Sequence, residues 1–229
     1  MKAGKIDKGK VFVVIPGLNE AKHIGNVIRK VRHQGYSNII FVDDGSIDSS
    51  YDEGVKAGAT VLKHVINLGK GAAAKTGCDY ALMKGAKIIC LMDADGQHKP
   101  EDLDALIGKL LSSKADIVFG YRKFDRNMPP MMKLGNMFIS KVTKLLDGVD
   151  IQDTQCGFRC FTSDAYRKIR WSSTDYSMES EMIANTARNR LRHAEHEIET
   201  IYFDKFKGTT IFDGIKIFIK ILRVRIFGG

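Results

Sequence analysis

Nowhere among the 229 residues is there a run of 18 without charge, so no segment is expected to cross a bilayer as a helix. The opening Met1-Lys2-Ala3-Gly4-Lys5 has no apolar signal region, and the protein is expected in the cytoplasm, peripheral on the cytoplasmic face of a membrane. Cysteine is scarce. Cys78, Cys90, Cys156 and Cys160 make no disulfide framework, and Cys156 and Cys160 have neither zinc spacing nor a second pair, so reduced thiols are expected. No Gly-x-Gly-x-x-Gly follows the first apolar run, which leaves a dinucleotide fold unsupported. No Walker loop is present either, because Gly69-Lys70-Gly71 is too short to be one. His193 and His196 lack the His-Glu-x-x-His order of a zinc protease and read as a solvated helix face. No basic run is interleaved with stacking aromatics, which argues against nucleic acid as a partner.

What is present is the make-up of an ordinary globular protein, with 44% hydrophobic and 28% charged residues, long enough to bury a full core as one domain. The net charge of +9 implies an anionic partner, either an acidic membrane surface or a phosphorylated substrate. Apolar runs at Val11–Ile15, Asn38–Val42, Thr60–Leu62, Ile88–Met92 and Asp116–Gly120 alternate with helical patterns. That alternation predicts an α/β fold with a mostly parallel sheet covered by helices on both sides. Residues 1–10 carry four lysines and read as a flexible tail. Segments 128–146 and 211–227 are amphipathic. Met131, Leu134, Phe138, Val142 and Leu145 form one stripe, and Ile211, Ile215, Phe218 and Leu222 the other, with lysines off both. Such helices dock on an anionic membrane surface; the competing reading packs them on the sheet's edge.

Three of the runs end in acids. Glu20 closes Pro16-Gly17-Leu18-Asn19-Glu20, where Asn19 is expected to cap the following helix. Asp43 and Asp44 follow the second run, and Asp93-Ala94-Asp95-Gly96-Gln97-His98 follows the fourth. Parallel strands bring these ends to one edge, where open α/β sheets bind their ligands. Asp93, Asp95 and the Gln97 amide oxygen alternate as hard donors suited to Mg²⁺ or Mn²⁺. A ligand for this crevice offers hydroxyls or a base for hydrogen bonding and phosphates to bridge to a metal. A nucleotide diphosphate sugar has all of these.

These motifs, with Asp153-Thr154-Gln155-Cys156-Gly157-Phe158-Arg159, resemble the family 2 glycosyltransferases of the GT-A fold. Within that family the chain is most similar to the polyprenyl-phosphate sugar synthases, such as the dolichyl-phosphate glucose and mannose synthases. The resemblance implies a single GT-A domain with a Rossmann-like sheet. It assigns Pro16, Leu18, Glu20, Val42 and Asp44 to the base and ribose, Asp93 and Ala94 to the nucleotide sugar, and Asp95 with Gln97 to the metal, Asp93 being a further candidate ligand. Arg122 would meet a phosphate of donor or lipid, its planar fork suiting that role. Asp153, Gly157, Phe158 and Arg159 would line the acceptor side, and Lys205 or Lys207 would clamp the diphosphate. The closest version is the glucosyltransferase one, which favours UDP-glucose or a UDP-N-acetylhexosamine over GDP-mannose. Arg170-Trp171 is similar to the end of the Gln-x-x-Arg-Trp motif of processive polysaccharide synthases, but position 167 is Arg.

The implied reaction moves one hexose to dolichyl or polyprenyl phosphate. A phosphate monoester, with a second pKa of about 6, is largely dianionic near neutral pH and needs no general base. Alignment and charge neutralisation remain, and Asp95, Arg122 and Asp153 are the residues expected to carry them. A hydroxyl acceptor would instead need a carboxylate base, with Asp153 first and Glu179 or Glu181 next. A third reading is a silent nucleotide-sugar-binding protein.

Overall fold

The structure, a computed structural model, describes residues 6–122, 140, 144 and 148–200. Among these, seven strands form one sheet in the order β3-β2-β1-β4-β6-β5-β7. The strands are β1 (Val11–Gly17), β2 (Ile39–Asp43), β3 (Thr60–Lys63), β4 (Ile88–Leu91), β5 (Ile117–Arg122), β6 (Arg159–Thr162) and β7 (His193–Ile198). The helices are α1 (Ile24–His33), α2 (Ser50–Lys56), α3 (Lys70–Met83), α4 (Asp102–Ser112), α5 (Ser163–Ile169) and α6 (Met178–Arg188). Only β6 runs against the others, antiparallel to both β4 and β5. The remaining strands point one way, so their carboxyl ends share one edge.

The continuous apolar runs are what strands buried on both faces require. Val11, Val13 and Ile15 bury in one cluster with Val27, Val31, Leu106 and Leu110 from α1 and α4. Phe12 and Val14 bury in a second, with Ala74, Cys78 and Ala81 of α3 and Tyr166, Trp171 and Ile183 beyond β6. The mostly parallel sheet covered on both sides is therefore as expected.

Several local expectations are corrected. β1 continues past Ile15 through Pro16 and Gly17. The Val13 amide donates to Asn38 O, so odd-numbered residues face β2 and Pro16 turns its missing N–H toward β4, whose ladder ends at Val14. Asn19 is not a cap. It adopts φ 55°, its Oδ1 accepts from the Ile47 amide at 3.0 Å, and α1 begins only at Ile24. Residues 8–10 are a 3₁₀ turn rather than tail, with Lys8 donating to Gln34 O at 2.6 Å and pairing with Asp104. His193 and His196 lie in β7, an edge strand paired with β5 from Ile117↔His193 to Arg122↔Ile198. Charged and polar side chains on an edge suit a strand that must not recruit another.

β6 had no counterpart in the sequence pattern. Its register sets Cys160 directly opposite Cys90 on β4, and the two form a disulfide, against the expectation of reduced thiols; Cys78 and Cys156 are free and buried. Apart from residues 140 and 144, the segments 128–146 and 211–227 lie outside the described residues, as do residues 1–5, Lys205 and Lys207. Among the described residues no helix is long and apolar enough to cross a membrane.

Candidate active site

A cavity of about 460 Å³ opens at the carboxyl ends of β1, β2 and β4. Pro16, Leu18, Glu20, Asp44, Asp93, Ala94 and Asp95 all line it, so the structure brings together most of the expected donor-side residues. Val42 does not join them; it is fully buried in the core beneath. The lining holds five carboxylates (Glu20, Asp44, Asp93, Asp95 and Asp175) and one ammonium, that of Lys70.

Lys70 is the first residue of α3, and its Nζ lies 2.8 Å from Asp93 and 3.0 Å from Glu179. Glu179 sits in the first turn of α6, where the helix dipole favours a carboxylate, and its side chain is only 2% exposed. One Glu179 oxygen, Oε2, has no hydrogen-bond partner, while the residue's carbonyl accepts from Arg159. Burial alone would raise the Asp93 carboxyl; the Lys70 ammonium, helped by His98 and Arg122, outweighs it and holds Asp93 at about 2. Burial opposes the charge on Lys70, yet Asp93 and Glu179 raise its pKa, so Lys70 is an ammonium and Asp93 a carboxylate at neutral pH. Gly157 makes this packing possible. A Cβ there would fall 2.7 Å from both Asp93 carboxylate oxygens.

Asp44 is held from several sides. His64 Nδ1 is 2.6 Å from its Oδ1, and the amides of Leu68 and Gly69 donate to its two oxygens at 3.0 and 2.8 Å. His64 Nε2 lies 3.0 Å from Thr76 Oγ1. The carboxylate thus pins the loop that leads into Lys70 to the end of β2. Beside it Asp43 is fully buried, accepting from the Ser46 amide at 2.9 Å.

On the far side of the DxD turn, Arg122 forks onto Asp153. Its Nε and Nη2 donate to the two carboxylate oxygens at 2.6 and 3.0 Å, and Asp153 is fully buried. Phe158 is also fully buried and stacks on His98 at 5.1 Å between ring centroids. His98, 6% exposed, accepts from the Asp93 amide at its Nδ1 and is part of the packing beneath the site. Arg159 is 1% exposed and gives its donors to the carbonyls of Cys156, Thr154 and Glu179. That leaves Phe158 and Arg159 beneath the site as supports for the 153–157 turn. Glu181 binds the amides and hydroxyls of Ser172 and Ser173, and Trp171 donates to Gly71 O at 2.8 Å; both fasten the 171–177 loop over the start of α3.

The donor set fits a hard divalent cation. The Gln97 backbone N–H donates to Asp95 Oδ1 at 2.9 Å, fixing that carboxylate at the cavity wall, while Gln97 itself is not among the lining residues; the surplus of acids over bases leaves the cavity strongly negative. Among the described residues no group of three or more His, Cys, Asp or Glu could hold a metal unaided.

Sequence reasoning missed Lys70 and His64. The signal for Lys70 was a lysine between two glycines at the start of a helix on the carboxyl edge, which was weighed only as a phosphate loop.

The family model described as Glycosyl transferase family 2 matches residues 12–170. The UDP-N-acetylglucosamine--dolichyl-phosphate N-acetylglucosaminyltransferase of Methanococcus voltae is 33% identical over 94% of this chain and 96% of its own length. An uncharacterized protein of Methanocaldococcus jannaschii is 36% identical over 97% of this chain and 95% of its own. Among solved structures, the glucosyl-3-phosphoglycerate synthase of Mycobacterium tuberculosis in complex with Mn²⁺, UDP and phosphoglyceric acid superposes with a TM-score of 0.72. It is 19% identical, and the match covers 96% of this chain and 78% of that one. The likeness is one of fold, and it is the GT-A fold expected.

Proposed function

The chain belongs to glycosyl transferase family 2, and from that premise we propose that it moves one hexose from a nucleotide diphosphate sugar to dolichyl or polyprenyl phosphate. The observation that carries the reading is the bidentate Arg122–Asp153 pair beside the acid-rich cavity. A hydroxyl acceptor needs a free carboxylate base, and Asp153, the first candidate, is fully buried with both oxygens on Arg122. A phosphate acceptor needs none, and a guanidinium set in place by a carboxylate is what it requires. The dolichyl-phosphate acceptor in the name of the 33% identical Methanococcus voltae enzyme points the same way and supports UDP-N-acetylhexosamine among the donors.

In this reading Leu18, Glu20 and Asp44 hold the nucleoside, and Asp93 and Lys70 face the sugar and diphosphate. Asp95 and Gln97 would hold Mg²⁺ or Mn²⁺, which supplies positive charge to the leaving diphosphate. Arg122, fixed by Asp153, orients the acceptor phosphate. An oxygen of that phosphate bonds to the anomeric carbon as the bond to the nucleoside diphosphate breaks, inverting an α-linked donor to a β-linked lipid phosphate sugar. Contact would be made from the cytoplasmic face of the membrane. Sugar transfer to a short-chain polyprenyl phosphate in detergent, with UDP-glucose, UDP-N-acetylglucosamine or GDP-mannose, tests it. One donor should give product, lost with EDTA and in Asp95→Ala. Product only on free glycans, or from no donor while nucleotide still binds, would overturn the proposal.

A further inference from the structure

Asp44, assigned above to the nucleoside, is braced from behind by a chain of side chains that does not itself line the cavity. His64 follows directly on β3, and its backbone amide extends the ladder by donating to Asp43 O at 2.9 Å. Its ring is held at both nitrogens, with Nδ1 2.6 Å from Asp44 Oδ1 and Nε2 3.0 Å from Thr76 Oγ1. A carboxylate has no hydrogen to give, so Nδ1 carries the proton and donates it. The far end of the chain is firm. Thr76 lies on α3 beside Gly77, where a Cβ would fall 2.4 Å from Val14 Cγ1, so the helix sits directly on the sheet at that point. Little solvent reaches the pair, since the His64 side chain is 11% exposed and that of Asp44 4%.

The contact divides the two carboxylate oxygens between protein and cavity. Oδ1 accepts from His64 and from the Leu68 amide, which occupies both of its acceptor positions. Oδ2 accepts from the Gly69 amide and, among the described residues, from no other group. One acceptor position on Oδ2 therefore remains, on a residue that lines the cavity. A ligand meets it with a hydrogen-bond donor, and a nucleoside offers base N–H groups and ribose hydroxyls. The Leu68 and Gly69 amides belong to the loop that this carboxylate pins, so they move with it. His64 and Thr76 stand on a strand end and on a seated helix, so they fix it.

We infer that His64 is a positioning residue for nucleoside binding. Braced by Thr76, it sets Asp44 so that Oδ1 is engaged inside the protein and Oδ2 is presented to an N–H or O–H donor of the nucleoside. This deepens the nucleotide-sugar reading above and rests on it.

The test titrates the full chain with UDP, GDP and inorganic pyrophosphate in the presence of Mg²⁺, for the wild type, His64→Ala, His64→Asn and Thr76→Val. Loss of a hydrogen bond to a charged group should weaken the nucleotide that the wild type binds more tightly by at least about tenfold in His64→Ala. Pyrophosphate, which has no nucleoside, should bind all four proteins equally. His64→Asn keeps an N–H near the place of Nδ1 and should recover most of the loss. Thr76→Val removes the hydroxyl at nearly constant volume and should lose less than His64→Ala. In transfer assays the donor KM should rise by more than kcat falls. The 2′,3′-dideoxy form of the same nucleotide separates the two donors. A loss already present in the wild type and not deepened by His64→Ala places a ribose hydroxyl on Oδ2, and additive losses place a base N–H there.

Nucleotide affinity equal to that of the wild type in His64→Ala would overturn the inference. So would a matching fall in pyrophosphate affinity, since the residue would then only hold the loop that leads into Lys70, or a failure of His64→Asn to recover binding. Should His64→Ala not fold, an unchanged nucleotide affinity in Thr76→Val overturns it. A wild type that binds nucleotide but transfers no sugar would remove the proposed activity and leave the role of His64 standing, so the two failures are distinct.

Discussion

Replacing Lys70 by Met keeps much of the side chain's volume and removes the one ammonium that lines the cavity. Two carboxylates, Asp93 at 2.8 Å and Glu179 at 3.0 Å, lose their shared partner, and their side chains are only 25% and 2% exposed. Breaking a buried pair from one side costs about 3–5 kcal/mol, because the remaining charge is left desolvated. Here two charges remain, but Asp93 keeps the Arg122 charge nearby, so the expected loss stays in that range. The sign with pH is opposite to that of the intact cluster. In the variant the unpaired carboxyls have folded-state pKa values above their unfolded ones. Their penalty is full above the folded value and disappears as pH falls to the unfolded value near 4.

Urea unfolding of both proteins at pH 7 and pH 4.5 reads this directly. The deficit of Lys70→Met should be about 3–5 kcal/mol at pH 7 and less than about half of that at pH 4.5. Adding Glu179→Gln to the variant should recover stability at pH 7, since it removes one of the stranded charges. A deficit under about 1 kcal/mol, or one equal at both pH values, would show that the cluster is not the buried charge cluster described.

Three further expectations follow from the same geometry. Gly157→Ala sets a Cβ 2.7 Å from the Asp93 oxygens and should lower the transfer rate at saturating donor by about a hundredfold, as a displacement of about 1 Å in a site does, while nucleotide binding changes less. Arg122→Lys loses the fork that spans both Asp153 oxygens, and kcat should fall at least about tenfold even though the charge is kept. With Asp93 held at about 2 against an ordinary 3.8, its ionisation contributes about 2 kcal/mol above pH 4 and loses it as pH falls toward 2. The acid limb of wild-type stability should therefore be steeper than that of Asp93→Asn.

Where the sequence was informative, a single segment carried the whole constraint. Val11–Ile15 and Ile88–Met92 had to be strands buried on both faces, because no other element hides an unbroken apolar run of that length. Placing acids just beyond them at one edge needed only the direction rule for parallel sheets. Hence Glu20, Asp44, Asp93 and Asp95 could be named together before any coordinates, and all four line one cavity. What escaped was set by pairing between distant segments. β6 is four residues long and runs antiparallel, so neither its existence nor the opposition of Cys90 and Cys160 across 70 residues leaves a periodic trace. The Lys70–Asp93–Glu179 cluster draws on α3, the turn after β4 and α6, and each residue alone passes for a helix-terminus or turn residue.

The same distance in sequence explains why the acceptor segment was only half legible. Asp153 to Arg159 was read as one lining motif, but its residues face different ways once β6 enters the sheet. Asp153 fixes Arg122, Gly157 yields space to Asp93, and Arg159 turns inward to three backbone carbonyls. A buried arginine used this way cannot also meet a substrate. Its guanidinium joins the 154–156 turn to the carbonyl of Glu179, and so links the wall that holds Arg122 to the wall that holds Lys70. Lys70 and Arg122, two cations that help keep Asp93 ionised, are thereby tied together by a third that is not among the residues lining the cavity.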